Sequence, residues 1–219
     1  MNLKSVLFDL DGTLVDSLED LTDAVNHVRH EFALPPLTPS AVCRMVGKGA
    51  LNLLRQALPD LGQDEIGRAL RLFLDYNEKH IADKSRLYPG VAEMLADLQR
   101  RGIRLAVISN KNEALSRLIL KSLEIDDYFE SVSGGDTFPE IKPSPLPLLR
   151  VIERQGVLPQ ECVMVGDSIN DIQAGNLAGI ATVGCSWGYG GSAELAGSSF
   201  LAESCEDLLR TITGLEQTT

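Results

Sequence analysis

Two patterns of hydrophobic and polar positions divide the chain. From about residue 86 onward, short apolar runs typical of buried strands alternate with segments whose apolar residues recur at helical spacing. Strands that alternate with helices in this way imply a parallel sheet with helices on both faces. Strands are predicted over 104–109, 130–135, 161–166 and 180–185, and helices over 91–102, 113–125, 145–156, 170–179 and 205–214.

The preceding segment, residues 16–85, has the pattern of packed helices and contains no convincing strand. Prolines punctuate it, which marks the turns between helices. Helical stretches are predicted over 18–32, 38–47, 49–58 and 64–81.

An apolar run of strand type also stands before this segment, near residues 5–8. The simplest interpretation is that the helices are inserted after the first strand of the sheet. We therefore predict an α/β fold with a Rossmann-like parallel sheet core formed by residues 1–15 and 86–219. The inserted α-helical domain would comprise residues 16–85.

Composition and charge limit the classes of function. The 219 residues are enough to bury a core, and 44% of them are hydrophobic. The formal charge of −11 argues against a broad basic face for nucleic acid or anionic membranes. No run has the length of a membrane span or signal peptide, and the four cysteines show no metal-binding spacing. We expect a soluble cytoplasmic protein with reduced thiols.

The first strand-like run ends in two aspartates, Asp9 and Asp11, within VLFDLDGT. On extended backbone, side chains two residues apart share a face, so both carboxylates are expected to point into one small volume. At about 5 to 6 Å and an effective dielectric of about 20, two such charges repel by about 3 kcal/mol. A bound cation, a proton on one carboxylate, or solvent would offset this. A calcium loop of EF-hand type is disfavoured because Leu14 and Asp20 stand where it needs glycine and glutamate.

Other polar residues follow the later strands. Ser109 and Asn110 end one strand, Asp167 and Asp171 follow another, and Lys142 lies in a loop after a third. A parallel sheet gathers its functional site at the carboxyl ends of its strands. Taken singly, Ser109 could bond its own backbone, Lys142 could be solvated, and the two aspartates could serve a helix start. Their common position at strand ends favours a shared site.

These residues resemble the four motifs of the haloacid dehalogenase superfamily of phosphotransferases. The motifs are DLDGTLVDS, the apolar strand ending in Ser109, Lys142, and GDSIND. The resemblance spans nearly the whole chain, because the inserted helices have the position of that family's cap domain. Within the superfamily the sequence is most similar to phosphoglycolate phosphatase and its relatives, through MVGKGALNLL, LYPGV, ISNK and GGDTFPEIKPSPLPLL.

The resemblance implies catalytic roles for four residues. Asp9 would be the nucleophile that forms an aspartyl-phosphate. Asp11 would be the general acid for the leaving alcohol and later the general base for water. Ser109 would bond a phosphoryl oxygen, and Lys142 would offset the charge gathered on Asp9 and the phosphoryl group. The dehalogenase and phosphonatase branches lack an aspartate at the place of Asp11, so its presence favours phosphate-ester chemistry.

The resemblance also implies a Mg²⁺ site, which suits a hard cation that takes carboxylate, water and phosphate oxygens. Its protein ligands would be Asp9, Asp167 and the backbone carbonyl of Asp11, with Asp171 ligating or supporting them. Asn110 and Gly12 are expected to contact the substrate.

The inserted helices should determine substrate specificity. Lys48 lies in the sequence Gly47-Lys48-Gly49 at a helix junction, where it could meet a second anionic group such as the carboxylate of 2-phosphoglycolate. An ordinary solvated lysine beside a flexible turn is the alternative. The glycine-rich stretch from Trp187 to Gly191 is interpreted as structural, because a phosphate cradle would need a helix to begin directly after it.

We therefore expect a Mg²⁺-dependent phosphatase that hydrolyses a small phosphomonoester, with 2-phosphoglycolate as the first choice. A phosphomutase or pyrophosphatase of the same superfamily, or a catalytically silent protein that binds a phosphorylated metabolite, are the alternatives. No nucleic-acid or membrane partner is expected, and the chain is expected to be a monomer or a homodimer.

Overall fold

The protein is described from a computed structural model, which covers residues 2–216. The strands are β1 Ser5–Phe8, β2 Val15–Asp16, β3 Arg86–Leu87, β4 Arg104–Ile108, β5 Ser131–Ser133, β6 Cys162–Gly166, β7 Ala181–Cys185 and β8 Phe200–Ala202. The helices are α1 Leu18–Glu31, α2 Pro39–Cys43, α3 Gly49–Ala57, α4 Gln63–Lys79, α5 Val91–Arg100, α6 Glu113–Ser122, α7 Leu146–Gln155, α8 Ile169–Leu177, α9 Ser192–Leu195 and α10 Cys205–Glu216.

Six parallel strands form the main sheet in the order β5-β4-β1-β6-β7-β8. The first strand lies at its centre, where Phe8 is in register with Val107 of β4 and Val165 of β6. All six strands point the same way, so the residues that follow β1, β4 and β6 meet at one edge of the sheet. The predicted α/β fold with a parallel sheet is confirmed.

Both faces of the central strand are buried, which explains its unbroken apolar sequence. Successive side chains point to opposite faces. Val6 and Phe8 belong to one hydrophobic cluster, which includes Leu95 of α5 and Ile212 of α10. Leu7 belongs to the cluster on the other face, with α7 and α8. This packing fixes the backbone directly before Asp9.

Residues 16–85 fold as four helices around a hydrophobic cluster of their own, which includes Val25, Leu54 and Phe73. We call this segment the helical insert. Its two connections to the core are β2 and β3, which pair antiparallel with Val15 opposite Leu87. The periodicity predicted no strand here, because a two-residue strand is too short to show one. The boundaries predicted at 15/16 and 85/86 fall on this paired ribbon.

The predicted elements of the core all form, and four short ones were missed: α9, β8 and the 3₁₀ helices Asp126–Tyr128 and Pro159–Glu161. The helix α9 and the edge strand β8 have only four and three residues, too few to establish a period. None of the helices in residues 2–216 combines the length and apolar character that crossing a membrane requires.

Candidate active site

Three carboxylates and one lysine come together at the carboxyl edge of the sheet. One carboxylate oxygen from each of Asp9, Asp167 and Asp171 lies within 4.8 Å of the others. The Lys142 ammonium, which is only 2% exposed, lies 2.8 Å from Asp9 Oδ1 and 2.6 Å from Asp171 Oδ1. Sequence positions 9, 142, 167 and 171 therefore form one cluster, as the strand-end pattern predicts.

The charges in this cluster do not balance. Burial raises the pKa of the Asp9 carboxyl to about 8; Lys142 opposes this shift, and Asp171 and Asp167 add to it. The pKa of Lys142 is raised: burial lowers it, but the nearby Asp171 and Asp9 carboxylates raise it by more. The lysine therefore stays charged. The three carboxylates and single ammonium leave an excess of negative charge that protons or a divalent cation would neutralise.

Asn110 holds Lys142 in place. Its Oδ1 accepts a hydrogen bond from the Lys142 backbone N–H at 3.0 Å, and its Nδ2 donates to the Lys142 carbonyl at 2.9 Å. A second bond from Nδ2 reaches the carbonyl of Gly47 in the helical insert, at 2.8 Å. These contacts give the Asn110 side chain a positioning role; the predicted contact with substrate stays a prediction.

Asp167 is held by the glycine-rich stretch. The backbone N–H groups of Tyr189 and Gly190 donate to its Oδ2 at 2.7 and 3.3 Å, and the Thr13 hydroxyl donates to Oδ1 at 3.1 Å. Burial raises its pKa to about 6, Asp171 adds to the shift, and these hydrogen bonds oppose it. The stretch contributes structural hydrogen bonds, but the reason given for predicting this was wrong, because α9 begins at Ser192 directly after Gly191. Its contact with Asp167 had no signal in the local sequence.

Gly12 provides the space in which Asp167 lies. Its φ is +89°, and a Cβ built on it would lie 2.4 Å from Asp167 Oδ2. A larger residue would be strained and would displace the carboxylate. Contact between Gly12 and the substrate, predicted from the resemblance, stays a prediction.

Asp171 is both the first-turn acid of α8 and a member of the carboxylate cluster. It lies in the first turn of α8, where Oδ2 accepts hydrogen bonds from the Ser168 backbone N–H at 3.1 Å and hydroxyl at 2.8 Å. Its Oδ1 meanwhile accepts from Lys142. The helix start therefore fixes the carboxylate that orients the lysine.

Asp11 pairs with a different lysine from Asp9. Its Oδ1 accepts hydrogen bonds from the Ser17 hydroxyl at 2.5 Å and from Lys111 Nζ at 3.3 Å. Both aspartates line the same cavity, yet the Asp11 carboxylate is not part of the cluster of three. Lys111 had no predicted role; its only sequence signal is its place two residues after the strand-end serine.

Ser109 is buried in the cavity wall and accepts a hydrogen bond from the Lys111 backbone N–H at 3.1 Å. This is the local bond that a strand-end hydroxyl commonly makes. Because the oxygen acts there as an acceptor, the hydroxyl hydrogen can still be donated to a ligand. The two interpretations of Ser109 are therefore compatible.

A cavity lies between the sheet edge and the helical insert, with about 630 Å³ of empty space including its mouth. This is within the usual range for small-molecule sites. The core side carries the polar groups described above, while the insert side is mostly apolar, with Phe73 and Leu74 among its residues.

The glycine turn of the insert closes over the sheet edge. The Gly47 carbonyl accepts hydrogen bonds from Asn110 Nδ2 and, at 3.3 Å, from Asn170 Nδ2. Gly47 and Gly49 line the cavity, whereas Lys48 between them is exposed and lies outside the lining. The predicted contact of Lys48 with a second anionic group stays a prediction.

Known proteins similar to this chain are hydrolases of one family. The sequence model of haloacid dehalogenase-like hydrolases matches residues 6–185. The chain belongs to this family. It is 40% identical over 212 residues to the phosphoglycolate phosphatase of Chromobacterium violaceum, covering 94% of this chain and 95% of that protein. It is 38% identical over 219 residues to the phosphoglycolate phosphatase of Vibrio vulnificus, covering 96% of each.

Solved structures of the haloacid dehalogenase-like family share the fold over its full extent. A crystal structure of a predicted phosphoglycolate phosphatase from Haemophilus somnus superimposes with a TM-score of 0.92 at 34% identity, covering 97% of this chain and 99% of that one. The resemblance identified in the sequence is confirmed. The chain is an enzyme, a hydrolase similar to phosphoglycolate phosphatases.

Proposed function

We propose that this enzyme is a Mg²⁺-dependent phosphatase that hydrolyses a small phosphomonoester, 2-phosphoglycolate in the first place, through an aspartyl-phosphate. The observation that carries the proposal is the Asp9 carboxylate, held by the buried side chain of Lys142 in the cavity between the sheet edge and the helical insert. The names of the relatives support the choice of substrate.

The donor set fits Mg²⁺. Mg²⁺ takes hard carboxylate oxygens, and one oxygen from each of Asp9, Asp167 and Asp171 lies within 4.8 Å of the others. Asp9 and Asp167 would hold the ion, with Asp171 ligating it or supporting the shell. When bound, the cation would supply positive charge to the phosphoryl oxygens.

Asp9 is oriented for attack on phosphorus. Its Oδ1 is taken by Lys142, and among residues 2–216 no group donates a hydrogen bond to its Oδ2. In the first step, a carboxylate oxygen of Asp9 forms a bond to phosphorus while the bond from phosphorus to the leaving oxygen breaks. Lys142 offsets the charge of the pair, and Ser109 donates its hydroxyl hydrogen to a phosphoryl oxygen.

Asp11 carries the proton in both steps. The Ser17 hydroxyl and Lys111 hold its carboxyl group in the cavity beside the reacting atoms. Asp11 gives its proton to the leaving alkoxide as the first bond breaks. In the second step it takes a proton from water, whose oxygen bonds to phosphorus and releases the Asp9 carboxylate, so phosphate leaves and the enzyme is restored.

The test is phosphate release from 2-phosphoglycolate, ethyl phosphate, a sugar phosphate and pyrophosphate, each with Mg²⁺ or with EDTA. We expect release only with Mg²⁺ and the highest kcat/KM for 2-phosphoglycolate. Asp9→Asn should lower kcat at least about a thousandfold, while the exposed control Asp127→Asn should retain it. Acid-quenched wild-type enzyme should carry hydroxylamine-sensitive phosphate on the peptide that contains Asp9.

Three results would contradict parts of the proposal. Absence of Mg²⁺-dependent release from every substrate would reject the phosphatase function. Full activity of Asp9→Asn would reject the aspartyl-phosphate, and preferred hydrolysis of pyrophosphate would reject 2-phosphoglycolate as substrate.

A further inference from the structure

Asn77 of α4 is a buried polar residue that the mechanism does not use. It lines the active-site cavity and is only 3% exposed. Its Nδ2 has no hydrogen-bond partner among residues 2–216. Buried side-chain amides in folded proteins almost always have a partner, because leaving a donor unpaired in an apolar setting is costly. The amide of Asn77 therefore needs an acceptor that the chain itself does not supply.

Asn77 lies in an otherwise apolar wall of the cavity. The other residues of the helical insert that line the cavity have apolar side chains or are glycines, and Leu21, Phe73 and Leu74 are among them. Within this wall Asn77 is the side chain able to form a hydrogen bond with a ligand. The catalytic groups lie on the opposite, core side of the cavity. A substrate whose phosphate is bound at the sheet edge would extend its remaining part toward the insert.

We propose that Asn77 is a substrate-binding residue whose Nδ2 donates a hydrogen bond to an acceptor oxygen on the leaving group. The inference rests on the proposed function and deepens it, because it names the chemistry of the part of the substrate that leaves. The acceptor is a compact oxygen group, which is the carboxylate in the case of 2-phosphoglycolate. The apolar residues around Asn77 exclude water from this contact, so an alcohol that lacks the acceptor leaves the amide unpaired.

One cation on the core side of the cavity is available to an anionic acceptor. Lys111 lines the same cavity, and its side chain is 7% exposed. Its Nζ lies 3.3 and 3.4 Å from the two Asp11 oxygens, and an ammonium with three donors can also bond to an anion on the leaving group. A neutral amide in the insert then selects for an oxygen acceptor at a defined place, while the lysine favours one that is negatively charged.

The test compares two substrates in the Mg²⁺-loaded enzyme. Asn77→Leu keeps the approximate volume and removes the amide; 2-phosphoglycolate carries the acceptor, and ethyl phosphate has the same two-carbon length without it. We expect kcat/KM for 2-phosphoglycolate to fall about tenfold or more, mainly through KM, and that for ethyl phosphate to change less than about twofold. The control Asn52→Leu, in α3 and outside the cavity lining, should leave both unchanged.

A second measurement is independent of turnover and of folding defects. In the Asp9→Asn background, calorimetry should show binding of 2-phosphoglycolate weakened about tenfold by Asn77→Leu. The thermal midpoint of Asn77→Leu without substrate should equal or exceed that of the parent, because the variant removes an unpaired buried donor.

The outcomes separate this inference from the proposed function. If the wild type hydrolyses 2-phosphoglycolate and Asn77→Leu leaves its KM unchanged, or alters both substrates equally, the role of Asn77 is rejected and the proposed function stands. If the wild type hydrolyses no phosphomonoester, the proposed function is rejected, and the inference is rejected with it.

Discussion

The amide of Asn110 and the backbone of Lys142 are joined by two hydrogen bonds, one in each direction, at 3.0 and 2.9 Å. This pair fixes the loop from which the Lys142 ammonium reaches Asp9. Since the Lys142 side chain is buried among carboxylates, a small change in its loop would be transmitted directly to the nucleophile.

Asn110→Ala should therefore lower kcat about tenfold to a hundredfold while KM changes little. The loss of these two hydrogen bonds, and of the third from Nδ2 to the Gly47 carbonyl, should also reduce the free energy of unfolding by about 2–4 kcal/mol. Steady-state kinetics and urea unfolding measure the two effects. Asn176→Ala removes a comparable amide-to-carbonyl bond at an exposed site, and it should leave kcat unaltered. A large rise in KM with normal kcat would show that Asn110 binds substrate rather than positioning Lys142.

Lys142→Met should damage both activity and stability. The variant leaves Asp9 and Asp171 without their shared cation, and breaking a buried ion pair from one side costs about 3–5 kcal/mol of unfolding free energy. Activity should fall at least about a hundredfold, since the charge on the phosphoryl group loses its partner. The exposed control Lys121→Met should alter neither quantity.

The second variant Lys142→Met/Asp171→Asn checks the cause of that instability. Because it removes one of the two unpaired carboxylates, it should recover part of the unfolding free energy but none of the activity. Equal stability of the single and double variants would show that charge imbalance is not the cause.

The metal-free enzyme should lose stability as pH rises. The pKa of Asp9 is raised to about 8 and that of Asp167 to about 6, both above the value of 3.8 for an unperturbed aspartate. The folded state therefore keeps protons that the unfolded state releases, so stability decreases above about pH 4 and levels off above about pH 8. Thermal midpoints in EDTA should fall across this window.

Mg²⁺ should reverse this trend, because it replaces the protons on the same carboxylates. The increase in thermal midpoint on adding Mg²⁺ should be greater at pH 8 than at pH 5.5. Asp9→Asn, which cannot ionise at this position, should lose the part of the decline between pH 6 and 8. A thermal midpoint in EDTA that rises with pH over this range would show that the carboxyl groups of Asp9 and Asp167 do not have raised pKa values.

Gly12→Ala should weaken Mg²⁺ binding. Its Cβ would overlap Asp167 Oδ2, and its φ of +89° strains any residue with a side chain. The Mg²⁺ concentration that half-saturates activity, or half-saturates the shift in thermal midpoint, should rise at least about tenfold. In Gly67→Ala, within α4, the added Cβ meets Arg71 Nη1 at 3.9 Å, an ordinary contact, so this helical control should keep normal Mg²⁺ dependence and gain about 0.5–1 kcal/mol of stability. Normal Mg²⁺ dependence of Gly12→Ala would contradict the packing argument.

The order of the elements and the residues at the sheet edge follow from local sequence patterns. Apolar periods and turn residues depend on neighbours within a few positions, so they predicted the helices and most strands of the core. Once a parallel sheet was predicted, Asp9, Ser109 and Asp167 were expected at one edge of it, because each follows a strand that points the same way; the structure adds that these strands are neighbours. The ribbon of β2 and β3 could not be predicted in this way, because strands of two residues are too short to show an alternation of apolar and polar positions.

The groups that surround those residues depend on how the elements pack together. The packing of the helical insert on the core brings Asn77 into the cavity and leaves Lys48 exposed beside it. The loop after β7 places the N–H groups of Tyr189 and Gly190 on Asp167. These contacts join positions that are far apart in the chain, and no local pattern encodes the distance between them. The residues at which a strand begins and ends can be predicted from their neighbours in the chain, whereas the partner of a buried amide depends on how whole elements pack.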